Sequence, residues 1–177
     1  MSIRQIQARY DELHDRILLR LSTADDTEFQ FWFTRRFTRR FWELLLKTLE
    51  QDEPVRQQSD LEARKAVLAM RHEGFVQQGN FSKPFEEREY RRPLGPEPLL
   101  VARADYTPGT RPGAFTLSLR PLHGQGVDLR LNAPLLHSIC KLIIDAAAKS
   151  DWDLNLAMPS ATFAPVTDGP ATTRTLQ

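Results

Sequence analysis

The sequence predicts an α+β fold: two β-β-β-α units whose antiparallel sheets and covering helices share one core, with an extra helix between the units. Three observations carry that prediction. The first is a change of hydrophobic period inside one stretch, Phe29 to Leu49. Phe29, Phe31 and Phe33 alternate with Glu28, Gln30 and Trp32, the period of two of a half-buried strand. From Thr34 onward Phe37, Phe41, Leu44, Leu45 and Leu49 fall at helical spacing, beside a polar stripe of Arg36, Arg40, Glu43 and Lys47.

The second observation is the return of this pattern 98 residues later. Phe29, Phe31 and Phe33 map onto Val127, Leu129 and Leu131. Thr34 maps onto Asn132, and both residue types cap helix N-termini. Phe37, Phe41, Leu44, Leu45 and Leu49 map onto Leu135, Ile139, Leu142, Ile143 and Ala147. Upstream, Ile17, Leu19 and Leu21 map onto Phe115, Leu117 and Leu119, so the match runs without a gap from Ile17 to Leu49. It lies in pattern more than in identity, and a repeat constrains the fold before any motif does. The third observation is that each unit offers one apolar sheet face and one apolar helix face. A unit that small needs its companion to complete a core.

Ile3 to Tyr10 reads as the first strand, with Ile6, Ala8 and Tyr10 on one face. Asp11 to Asp15 is turn-like. Arg16 to Leu21 is the second strand, with Ile17, Leu19 and Leu21 inward and Arg20 outward. Ser22 to Thr27 is a tight polar loop before the third strand and the first helix. Gln51 to Gln58 is a charged linker containing Pro54. Ser59 and Glu62 have capping-box spacing, so a second helix is expected from there to about Phe75, with Gly74 and Gly79 at its end. Asn80 to Pro98 is an irregular surface connector, because Pro93, Pro96 and Pro98 oppose regular structure.

Leu99 to Tyr106, Ala114 to Arg120 and Val127 to Leu131 are the strands of the second unit. A loop at Pro108 to Gly113 and a turn at His123 to Gly126 join them. The helix Ala133 to Lys149 follows, with Pro134 tolerated in its first turn. Trp152, Leu154 and Leu156 alternate and predict a short closing strand. Residues 1–157 are thus expected to form one domain, with units 3–50 and 99–149 and a connecting segment 51–98. Residues 158–177, rich in Pro, Thr, Ala and Gly, read as a disordered tail.

Hydrophobic residues make up 41% and charged residues 27%, ordinary for a soluble globular protein. The net charge of +1 creates no global field for nucleic acid or anionic membrane, so such binding needs a local patch. The single cysteine, Cys140, excludes an internal disulfide and sits in an apolar helix pattern as a buried thiol. The N-terminus lacks an apolar run of signal-peptide length, and no stretch approaches the roughly 20 apolar residues of a bilayer span. A cytoplasmic protein without a membrane partner is the expectation.

Duplicated sheet-then-helix units of this kind resemble the Whirly and PUR-type single-stranded nucleic-acid-binding domains. The resemblance is one of topology over residues 3–156 and rests on no sequence motif. Those families place four strands before the helix, where three are read here. The resemblance implies binding of single-stranded DNA or RNA on the sheets. The polar sheet faces to do so are Glu28, Gln30 and Trp32 in one half, and Thr116, Ser118, Arg120, Asp128 and Arg130 in the other.

The most conspicuous local feature is Thr34 to Trp42, TRRFTRRFW. Arg35, Arg36, Arg39 and Arg40, with Arg120 and Arg130 on the second sheet, are the candidate anion- or nucleic-acid-binding residues, and Trp32 and Trp42 are candidate stacking surfaces. Basic residues in a first helical turn oppose the helix dipole. The structural alternative pairs Arg39 and Arg40 with Glu43 and uses the aromatics in the core. The histidines His14, His72, His123 and His137 are scattered without metal-ligand spacing, so no metal and no cofactor are expected. No residue set reads as catalytic, and an enzyme is the least favoured class.

Two function classes stay open. One is a non-catalytic binding or assembly module acting through protein contacts. The other is a single-stranded nucleic-acid-binding protein using the arginine cluster. The helix Ala133 to Lys149 is apolar over more than one stripe, so it should be buried on two sides. One side is expected to meet its own sheet. The other meets the companion unit, the segment after it, or a second copy of the chain in a homodimer.

Overall fold

The computed structural model describes residues 2–161; the expected tail from 162 onward lies outside the described residues. β1 (Ile3–Asp11), β2 (Arg16–Thr23) and β3 (Glu28–Phe33) form an antiparallel meander that feeds α1 (Arg35–Glu50). The short α2 (Glu53–Arg56) and the long α3 (Leu61–Gln78) follow. β4 (Leu99–Leu100) pairs in parallel with β3 and completes the first sheet, in the order β1-β2-β3-β4. The second meander, β5 (Arg103–Pro108), β6 (Ala114–Arg120) and β7 (Val127–Asn132), forms the second sheet and feeds α4 (Ala133–Ala147). The architecture is α+β with two antiparallel-rich sheets.

The two units pair their strands in the same register. Ile17 faces Phe33, Leu19 faces Phe31 and Leu21 faces Phe29. Ninety-eight residues on, Phe115 faces Leu131, Leu117 faces Leu129 and Leu119 faces Val127. The outer hairpins agree as well: Ala8 faces Leu19, and Tyr106 faces Leu117. The helix starts match atom for atom. Thr34 accepts from the Phe37 N–H, and Asn132 from the Leu135 N–H.

The inward residues of both meanders meet in one core with α1, α3 and α4. Ile17, Leu19, Leu21, Phe31, Leu119 and Leu129 are fully buried in it, together with Phe33, Phe41, Leu136 and Ile139. The helices cross between the units. α4 runs against β1 and β2 of the first unit, and α1 runs against β5 of the second. α3 lies on α4. The apolar surface of α4 that suggested a homodimer is therefore met largely within the chain.

Several expectations are corrected. The predicted strand Leu99–Tyr106 is split in two, because the chain leaves the first sheet at Leu100 and enters the second at Arg103. α3 is capped by Asp60, whose side chain accepts from the Ala63 N–H, and not by Ser59; it extends to Gln78 rather than ending near Phe75. Trp152, Leu154 and Leu156 form no strand. Instead Trp152 is buried, donates to Asp15 Oδ1 and packs edge-on against Tyr10, with ring centroids 5.6 Å apart.

The outer face of the first sheet is also not solvated. The connector 80–98 covers it. Arg20 and Glu28 are buried beneath it, with Arg20 Nε 2.7 Å from Glu28 Oε1. The Arg20 guanidinium also donates to Glu87 at 2.5 and 2.9 Å and lies 4.1 Å above the Phe85 ring. Arg92 donates to Glu28 at 2.8 Å, and Gln30 donates to it at 2.9 Å. The connector is pinned at its main chain too, since Glu28 N donates to Arg91 O and Arg91 N to Asp26 O. Burial works against the Glu28 carboxylate, but Gln30, Arg20 and Arg92 outweigh it and hold its pKa below the ordinary value. Glu28→Ala leaves Arg20 buried without its strand partner. It should cost about 3 kcal/mol or more in urea unfolding, and more than Arg92→Ala, whose side chain is partly exposed.

The helices α3 and α4 bring two histidines together. His72 Nδ1 lies 3.1 Å from His137 Nδ1, and Phe75 stacks on His137 at 5.1 Å. Both imidazoles are buried, so one Nδ1 donates and the other must stay unprotonated to accept. Burial, and then the nearby His72 and Arg71, push the His137 pKa down from 6.5 to about 3. Burial also lowers that of His72. The unfolded chain therefore binds more protons. Stability should be full above pH 6.5 and fall as the pH drops toward 3, by up to roughly 1.4 kcal/mol per unit for His137. Urea titrations across this range should show a shallower fall for His137→Leu.

Candidate functional site

The apolar side of α1 dictates where its arginines go. Phe37, Phe41, Trp42, Leu45 and Leu49 turn into the core, which leaves Arg35, Arg36, Arg39, Arg40 and Lys47 on the solvent side. None of these five cations forms an ion pair among the described residues, although Glu43 and Glu50 share the same exposed side. The expected pairing of Arg39 and Arg40 with Glu43 is not made. No acidic residue occupies the first turn, so Arg35 and Arg36 add to the positive end of the helix dipole.

The stacking surfaces expected beside them are absent from this face. Trp42 is only 5% exposed and belongs to the core. Trp32 is half-buried on β3, where it packs against His14 with ring centroids 5.1 Å apart. Arg120 and Arg130 lie on the second sheet, not on α1. Arg120 is half-buried and donates to Asp128 at 2.5 Å, while Arg130 is exposed. Ser118 and then Arg120 hold the Asp128 pKa below the ordinary carboxylate value. Arg103 on β5 stands opposite Arg120 in register and is exposed.

Arg40 and Lys47 reach a feature that the sequence did not show. Between α1 and β5 runs a groove of about 300 Å³, walled by Ala102 and the strand residues 103–105 and by Arg40, Glu43, Leu44 and Lys47. Phe37 and Phe41 contribute to its floor. A second groove, of about 520 Å³, lies between α4 and β1. Its strand wall is residues 4–8, and Ser138, Leu142, Asp145 and Lys149 line it from α4. Shifted by 98 residues, the strand and helix walls of the two grooves coincide. Arg103 was the hardest participant to find from sequence. Its outward position is legible in the alternation of β5, but its neighbourhood to α1 is a product of the crossing.

Elsewhere the chemistry is quiet. Cys140 is fully buried, and burial raises its thiol pKa, so it carries no nucleophile at neutral pH. No group of three or more His, Cys, Asp or Glu side chains is placed to hold a metal ion among the described residues. No helix among them is long and apolar enough to cross a membrane. The chain matches no protein-family model, no curated protein and no solved structure.

Unpaired arginines at a helix N-terminus lower stability. Arg36→Glu replaces an unfavourable dipole interaction with a favourable one and should raise unfolding stability by about 0.5 kcal/mol at low salt. Thermal or urea unfolding of the variant measures it. A gain would mean that these side chains are kept at the expense of stability.

Proposed function

We propose that the chain is a non-catalytic binding module whose partner is a protein, engaged through the arginine side of α1 and the groove beside it. One observation carries the reading: Arg35, Arg36, Arg39, Arg40 and Lys47 are exposed on one helix and form no ion pair among the described residues. Four arginines and a lysine left unpaired on one side attract an anionic surface. The adjoining groove has an apolar floor and carries Glu43 and Asp105 among its cations. Such mixed lining suits a polypeptide better than a phosphate backbone.

A second reading, single-stranded nucleic acid, is favoured by the same arginines together with Arg103, Arg120 and Arg130 on the uncovered second sheet. Against it, Trp42 is withdrawn into the core, and base stacking on aromatics carries much of single-strand affinity.

Tagged wild-type chain should recover a stoichiometric partner from native lysate after nuclease treatment, and the variant with Arg35, Arg36, Arg39 and Arg40 all changed to Ala should not. In parallel, fluorescence anisotropy with unstructured DNA and RNA oligonucleotides at low salt tests the second reading. Salt-sensitive binding lost in the same variant, with no nuclease-resistant partner, would replace the first reading with the second.

A further inference from the structure

Strand β5 is an edge strand, because its only neighbour in the second sheet is β6. An edge presents a row of main-chain N–H and C=O groups with no partner. The groove against α1 runs along Ala102 and the first three residues of this strand, 103–105, so it follows the edge. We propose that this groove takes an extended acidic peptide of the partner protein, which adds to the second sheet beside β5. The inference rests on the protein-binding reading above and specifies how the partner is held.

The equivalent groove in the first unit supports it. There Gly79, Asn80, Phe81, Lys83 and Phe85 of the chain's own connector form a further wall of the space between β1 and α4. Gln5 holds that segment from β1: its Nε2 donates to Pro84 O at 3.5 Å, and its Oε1 accepts from Glu86 N at 3.1 Å. The protein thus already holds an irregular segment of its own against one of the two grooves. In the other, Gln5 is matched by Arg103, Ser138 by Arg40, and Asp145 by Lys47, with Leu142 and Leu44 in common. Asp145 has its own cation, Lys141, at 2.5 Å, whereas Arg40, Lys47 and Arg103 form no ion pair among the described residues, although Glu43 and Asp105 share their groove.

The occupant's chemistry follows from these walls. A strand laid beside β5 points alternate side chains to opposite faces of the sheet. One set meets Leu44, Arg40 and Lys47 on α1. The other lies on the outer face with Arg103. Glu43 and Asp105 share these walls, so carboxylates suit the positions beside Arg40, Lys47 and Arg103, with apolar residues over the Leu44 floor. Main-chain pairing supplies affinity without sequence specificity, and the charges supply selection.

The test uses the full chain and a capped, fluorescein-labelled peptide of alternating glutamate and valine at physiological salt. Saturable binding is expected. Arg40→Glu with Lys47→Glu should weaken it at least about tenfold, whereas Arg56→Glu with Arg111→Glu, both exposed and outside the groove, should weaken it by less than about threefold. N-methylation of one alternate set of the peptide's amides should abolish binding, and methylation of the other set should not. Circular dichroism verifies that the exposed-charge variants stay folded. If both methylated peptides bind as well as the parent, or if the two charge reversals act equally, the strand-addition inference is overturned and unspecific charge attraction remains. No binding of the peptide, with the lysate partner still recovered, also overturns it and leaves the protein-binding reading standing. Loss of both removes the reading beneath it.

Discussion

The structure depends on the crossing of helices between two β-β-β-α arrangements, α4 against β1 and β2 and α1 against β5. A three-stranded meander with one helix has too little interior to be stable alone. Here α4 runs against the first strands of the other unit and α1 against β5, so neither sheet is closed without the opposite half of the chain. Their apolar residues form one continuous core. The same crossing creates the two grooves, because each brings a helix alongside an edge strand that it does not follow in sequence.

The two halves share a frame and differ in what was laid over it. The connector 80–98 closes the outer face of the first sheet. Its hold is ionic as well as apolar: Arg20 is surrounded by Glu28, Glu87 and Phe85, and Arg92 completes the valence of Glu28. A charge pair this well buried is worth keeping only when every donor and acceptor finds a partner. That condition also makes the connector's path specific. Among the described residues no corresponding segment lies on the second sheet, whose outer face keeps Arg103 and Arg130 exposed. The asymmetry places the open charge of the molecule on α1 and the second sheet.

The ionisable groups with shifted pKa values at these contacts belong to the architecture. His72 and His137 join α3 to α4, and Asp15 ties Tyr10 to Trp152 through hydrogen bonds to both. Their perturbed pKa values arise from burial and local hydrogen bonds within these joints, not from a cleft. Perturbed titration in a protein of this kind marks where elements are fastened together.

Periodicity by itself determined most of the frame. The alternation of Phe29, Phe31 and Phe33, its change at Thr34, and its return at Val127 located six strands, two helices and their caps, because burying one face imposes a pattern of two or of 3.6 whatever the partner is. It also placed Arg35, Arg36, Arg39 and Arg40 on the exposed side of a helix. Local pattern does not encode which surface lies opposite. That is why Trp42 read as a stacking surface but is core, why Glu28 read as solvated but is buried under a connector, and why Trp152 to Leu156 read as a strand. The meeting of His72 with His137, of Arg20 with Glu87, and of Arg40 and Lys47 with the edge of β5 joins residues far apart in the chain. Those meetings were decided by the crossing of the helices and the path of the connector. Such contacts follow from mutual burial in three dimensions, which no one-dimensional period records.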